Sequence, residues 1–219
     1  MFSTKELKEL TKSINDYEPN MVSIIKHFIN SYTFKTNEEL RKAVKLWCSN
    51  KKECLKRYGH ISDWDVSLIT DMSELFYKQT NFNDDISGWN VSNVTNMEQM
   101  FQRAINFNQP LNNWDVSNVT NMTGMFYKAT NFNQSLNNWN VSKVTTMECM
   151  FFKAESFNQP LNDWNVSNVT NMEEMFYEAT NFNQPLNDWN VSNVNHMFSM
   201  FNEAANFNQP ETLKHFGIE

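Results

Sequence analysis

Methionine recurs in two regular series along this chain: Met72, Met97, Met122, Met147, Met172 and Met197 in one, and Met100, Met125, Met150, Met175 and Met200 in the other. Thioether sulfur is a soft ligand, and rows of it are one way to hold a soft metal ion. An equally regular asparagine series (Asn83, Asn108, Asn133, Asn158, Asn183, Asn208) offers carboxamides that could hydrogen-bond a polar ligand. Histidine is scattered over His27, His60, His196 and His215, and cysteine over Cys48, Cys54 and Cys149. Neither type shows Cys-x-x-Cys spacing, a zinc-ligand pattern, or a nucleophile that repetition would bring to a base. The methionines fall at helical spacing beside an unvarying phenylalanine, where a flexible thioether fills core space. The asparagines read as an internal amide ladder that satisfies turn backbone groups. No enzyme, cofactor or metal site is predicted.

These series belong to a larger pattern. Trp64, Trp89, Trp114, Trp139, Trp164 and Trp189 follow one another at intervals of 25 residues. Counting each unit from its Trp as position 1, all six copies share Trp at 1, Val at 3, Ser at 4, Met at 9, Phe at 13, Phe at 19 and Asn at 20. Apolar positions 9, 12, 13 and 16 carry the stripe of a short amphipathic helix. Thr at position 7 with Glu three residues later (Thr95 and Glu98, Thr145 and Glu148, Thr170 and Glu173) reads as a capping box at its start. The run Asn108-Gln109-Pro110 and its counterparts turn the chain. Trp-x-Val at positions 1 to 3 alternates as a very short strand would.

The fold class expected is therefore an α/β solenoid, a leucine-rich-repeat-like stack of six 25-residue strand–turn–helix repeats with an α-helical N-terminal cap. The cap covers residues 1–63, with helices near 4–13, 19–31 and 37–48 and a short helical turn near 51–57. The repeats occupy 64–88, 89–113, 114–138, 139–163, 164–188 and 189–213, the last degenerate after 210. Residues 211–219 form a minimal C-terminal cap. A strand side spaced at about 4.8 Å and a helix side at about 8–10 Å would fan the stack open, with the strand side concave.

Charge is uneven. Residues 1–63 carry 12 basic and 8 acidic side chains, whereas residues 64–210 carry 5 basic and 15 acidic. An acidic array repels phosphate backbones, so nucleic acid is not an expected partner. No stretch approaches the length of a membrane span. The opening MFSTKELKELTK lacks the apolar run of a secretory signal, which makes an intracellular location the expectation.

The segment L-x-x-W-x-V-x-x-V, residues 111–119, resembles a leucine-rich-repeat strand segment with Trp in a Leu slot. The whole unit, VTNMxxMFxxAxxFNQPLNxWNVS, resembles the BspA-like leucine-rich-repeat family, including its mycoplasma 25-residue variant. Residues 40–47 (LRKAVKLW) and 58–64 (YGHISDW) are similar to the way that family's repeat domain opens. The resemblance covers about residues 34–210. It implies a surface or adhesin-like protein with no catalytic residues, and thus a cell or virion surface as the alternative location.

Two surfaces are the binding candidates. The expected concave face shows positions 25 and 2: Asp63, Asp65, Asn90, Asn113, Asp115, Asn138, Asn140, Asp163, Asn165, Asp188 and Asn190. It is acidic and amide-rich, suited to a basic peptide or domain, or to glycan hydroxyls. The expected convex flank carries position 14, with Tyr77, Tyr127, Phe152 and Tyr177. The function expected is a protein–protein interaction scaffold, with a glycan-binding adhesin and an assembly subunit as alternatives. A homodimer through the C-terminal end follows from the thin cap there.

Overall fold

The computed structural model describes residues 31–218; the helices expected near residues 4–13 and 19–31 lie essentially outside that range. Helix α1 spans Asn37–Ser49 and α2 spans Lys51–Tyr58. Thr36 caps α1 by accepting the Glu39 N–H at 3.1 Å, while the Glu39 carboxylate accepts from the Lys35 N–H. These bonds make half of a capping box, with the second bond moved one residue back. Leu40, Ala43, Val44 and Trp47 of α1 are buried in a core continuous with that of the repeats, where Trp47 meets Trp64. A single 3₁₀ turn, Ile61–Asp63, leads into Trp64.

Between Trp64 and Gln209 the repeats contain no α-helix. Positions 9 to 16, expected to be helical, are instead two successive turns. Their N–H groups alternate between two kinds of acceptor. In the second repeat, Met97, Gln99, Phe101 and Arg103 donate to the carbonyls of Asn121, Thr123, Met125 and Tyr127 in the next repeat, at 2.7–3.0 Å. Met100, Gln102 and Ala104 donate three residues back, to Met97, Gln99 and Phe101. The same pattern recurs down the chain, for instance from Met122 to Thr146 and from Met147 to Asn171. A backbone that sends every second N–H to its neighbour cannot also make the i→i−4 bonds of a helix.

This alternation demands left-handed residues at positions 11 and 15. All twelve such residues have φ between 51° and 60°, and only Gly124 among them lacks a β-carbon. Each of the others costs about 1–2 kcal/mol relative to a right-handed residue. Hydrogen bonds to the next repeat offset that cost by ~1 kcal/mol each.

The strand expected at Trp-x-Val is reduced to a single parallel bridge in the first repeat, from Asp65 to Thr33, and is absent from the later ones. The oxygen at position 2 accepts the N–H of Ser at position 4, as from Ser92 to Asn90 and from Ser117 to Asp115, both at 3.1 Å. The Val119 N–H then closes back on Val116. These are Asx turns, which the Asn/Asp-x-Ser spacing favours. Parallel bridges do link the repeats, but at position 8: Asp71, Asn96, Asn121, Thr146, Asn171 and His196. The position 7 threonines do not cap helices either. Thr95, Thr120, Thr145 and Thr170 each donate their hydroxyl to the position 7 carbonyl of the repeat before, at 3.1–3.2 Å.

The apolar positions form columns through the core. Phe at position 13 and Phe at position 19 each stack on their equivalents from first repeat to last, and on each other within a repeat at 4.0–4.1 Å. The Met and Val positions of the first five repeats are buried throughout. After the sixth repeat, α3 (Pro210–Phe216) lays Phe216 over Trp189 and Phe201. Its buried Thr212 hydroxyl accepts the Leu186 N–H and donates to Asn187.

Replacing Glu74, exposed at φ 56°, with Gly removes the left-handed penalty. After the extra chain entropy of Gly, the fold should gain about 0.5–1 kcal/mol. A urea unfolding midpoint that falls instead would contradict the left-handed assignment at position 11.

Candidate functional site

The residues that repeat most strictly are engaged inside the array. Asn108 Oδ1 accepts both the Asn133 N–H and the Gln134 side-chain amide, each at 3.0 Å. Asn83, Asn133, Asn158 and Asn183 repeat this double acceptance one unit on. The position 20 carboxamides are therefore a structural ladder. Each buried indole N–H likewise has an acceptor, as from Trp114 to the Ile86 carbonyl at 3.2 Å and from Trp139 to Leu111 at 2.9 Å.

No group of three or more His, Cys, Asp or Glu among the described residues could hold a metal ion. The methionine rows are core, apart from a partly buried Met197 in the last repeat. The three cysteines are free thiols. Burial, with the Glu174 carboxylate close by, pushes the Cys149 thiol up to about 12. Burial raises the Cys54 thiol to about 11. Thiols held this high are not thiolate nucleophiles at neutral pH.

The row at positions 25 and 2 lies beside the Trp column. Asn90, Asn113, Asp115, Asn138, Asn140, Asp163, Asn165, Asp188 and Asn190 are exposed, whereas Asp63 and Asp65 are half-buried. Asp65, Asn90, Asp115, Asn140, Asn165 and Asn190 each spend one oxygen on their Asx turn. The bonds from Ser117 hold the Asp115 carboxyl below its usual range. Asn112, Asn113, Asp115, Asn138 and Asn140 line a shallow depression of about 340 Å³.

Ring spacings show which side of the stack is wider. Equivalent rings are 4.5 and 4.9 Å apart at position 14 (Tyr127 to Phe152 to Tyr177), and 5.4–5.7 Å at position 13. They are 5.7–6.0 Å apart at position 19 and 6.2–6.4 Å between tryptophans. Equivalent points in units related by one repeated rotation lie farthest apart on the outside of the curve. Hydrogen bonding agrees. Direct backbone bonds join repeats from position 7 to position 18, while longer carboxamide links join them near the Trp column, as from Asn138 N–H to Asn112 Oδ1. The row expected on the concave face therefore occupies the more widely spaced side. The Tyr77, Tyr127, Phe152 and Tyr177 flank, expected to be convex, occupies the tighter one. The reversal follows from the missing helices, since nothing here needs helix-width spacing.

A column that sequence reasoning passed over lies beside the aromatic flank at position 15: Lys78, Arg103, Lys128 and Lys153. The signal was available, because these are four of the five basic residues in 64–210 and follow one another at the repeat interval.

At the C-terminal end the array stays open. The N–H groups of Met197, Ser199, Phe201 and Glu203, which in other repeats bond to the next unit, donate to no described residue. Phe198 beside them is 75% exposed. No described helix is long and apolar enough to cross a membrane.

Cross-bonded repeats whose recurring polar groups are spent on one another define a repeat protein with its surface as the variable part. The chain belongs to the DUF285 family, described as "Mycoplasma protein of unknown function", whose model matches residues 44–147 and 112–216. No curated protein and no solved structure matches it.

Asn133→Ala removes an acceptor shared by the Asn158 N–H and the Gln159 amide. The expected loss is about 1–3 kcal/mol, measured by chemical unfolding. Asn133→Asp keeps the acceptor and should recover most of it.

Proposed function

We propose that this chain is a non-enzymatic binding scaffold: a solenoid related to the BspA-like leucine-rich repeats, presenting rows of side chains to a protein partner. One observation supports the reading above others. Strictly repeated polar groups bond within the array, while the exposed positions carry the differences between copies, so specificity resides in the surface rows. The kinship with leucine-rich repeats rests on the 25-residue period and the columns of Trp, Val and Phe. It does not rest on a strand at residues 111–119, where Trp114 and Val119 close turns.

The row at positions 25 and 2 suits a basic peptide or domain, because Asp115, Asp163 and Asp188 stand exposed among carboxamides. Glycan hydroxyls are the alternative ligand for the same surface. Salt distinguishes the two, since ion pairing at an exposed face weakens as ionic strength rises and sugar hydrogen bonding does not. A second reading, an assembly subunit acting through its end, is favoured by Phe198 and the open N–H edge.

The triple variant Asp115→Asn, Asp163→Asn, Asp188→Asn tests the acidic row. Each change installs the residue that other copies hold at that position, as Asn90 and Asn113 do, so the turns are kept. Affinity for a lysine-rich peptide should drop at least tenfold, with a flatter salt dependence. Unchanged affinity would discard this face as the binding surface.

A further inference from the structure

Four cations stand in one line on an otherwise acidic array. Lys78, Arg103, Lys128 and Lys153 occupy position 15 of the first four repeats, and position 17 beside them contributes Thr80, Ile105, Thr130 and Glu155. Together they line an open groove of about 600 Å³. Lys78 and Thr80 also line a second depression, at the junction of α1, α2 and the first repeat, so the channel continues toward Trp47 and Lys51. At the far end the column changes sign. Glu178 holds position 15 of the fifth repeat and pairs with Lys153 at 2.7 Å.

Lys78, Arg103 and Lys128 form no ion pair with any described residue. Lys78 lies over the Tyr77 ring at 4.7 Å and Lys128 over Tyr127 at 5.4 Å. Their stems and Ile105, which is exposed, give the groove an apolar floor beneath its charges.

We infer that this groove binds an extended acidic peptide. Successive repeats are bonded backbone to backbone here, so the four cations span about 14 Å at ~4.8 Å per step. An extended chain shows same-face side chains every ~6.7 Å, so three alternating carboxylates span about 13 Å. The apolar floor accommodates the side chains and backbone of a peptide between its charges. A single-stranded nucleic acid is disfavoured by the neighbouring rings. Tyr127, Phe152 and Tyr177 already stack on one another at 4.5 and 4.9 Å, leaving no gap for a base. The net charge of −10 over residues 64–210, from 5 basic and 15 acidic side chains, also repels long polyanions. This surface is separate from the acidic row, and the inference stands without that assignment.

The test uses the full chain and a labelled peptide with three glutamates at alternate positions separated by serine and leucine. A thymidine octanucleotide serves as the competing polyanion. Arg103→Glu with Lys128→Glu is the chosen variant, because Glu178 and Glu203 already occupy position 15 with the same left-handed backbone. The expected result is peptide binding that weakens with salt, falls at least tenfold in the double variant, and persists in the triple variant of the acidic row. Arg103→Gln with Lys128→Gln should give an intermediate loss while keeping the thermal midpoint. Absence of peptide binding, equal binding by wild type and double variant, or tighter cation-dependent binding of the octanucleotide would overturn the inference.

Discussion

The alternating hydrogen bond pattern of positions 9 to 15 is the constraint on which the rest depends. Every second N–H leaves its own repeat for a carbonyl of the next, and the intervening ones close tight turns. This arrangement fixes the repeat length, because inserting one residue would exchange the two sets of donors. It also brings equivalent core rings within 5.4–6.4 Å of each other, which turns each core position into a continuous column. Left-handed residues at positions 11 and 15 are the local consequence, and eleven of the twelve tolerate a β-carbon there. No single repeat could hold them, since the compensating bonds lie in its neighbours.

The period, the columns and the roles of Trp and Asn were legible in the sequence. A large apolar or amide side chain that recurs at one interval must pack or bond against its own copies. The secondary structure within a unit was not legible. Over the eight residues from 9 to 16, a stripe at 9, 12, 13 and 16 fits two four-residue turns as well as it fits a 3.6-residue helix. Periodicity cannot separate the two at that length. A competing signal existed in Asn96-x-Glu98 and Asn171-x-Glu173, where the asparagine oxygen takes the glutamate N–H that a helix cap at Thr95 or Thr170 would have claimed. The same Asx logic applied to Asn90-x-Ser92 replaces the expected strand by a turn. In both places short polar side chains compete for backbone donors, and they outweigh the apolar spacing.

With the helices gone, the expected spacing is reversed, and the Trp side is the wider one. Asp115 and Asp163 remain exposed as expected, but they sit where repeats are most widely spaced. The aromatic flank sits where they are closest, with Phe152 buried between Tyr127 and Tyr177. A flank stacked this tightly acts as a wall for what lies next to it more than as a contact surface of its own.

Stacking also carries an electrostatic cost that makes charged columns informative. Any charge repeated at one position meets its own copies about 5 Å away, so like charges accumulate repulsion along the stack. Most polar positions avoid this by varying. Position 10 mixes Ser73, Glu98, Thr123, Glu148, Glu173 and Phe198, and position 11 mixes Glu74, Gln99, Gly124, Cys149, Glu174 and Ser199. Position 15 instead keeps a cation in four consecutive copies and reverses sign only at Glu178. Core packing does not require this, because the same backbone accepts Glu178 and Glu203 there. A self-repelling row held where neutral or opposite charges would fit is best accounted for by a ligand that neutralises it. The groove beneath the row gives that ligand a floor and a direction along the stack.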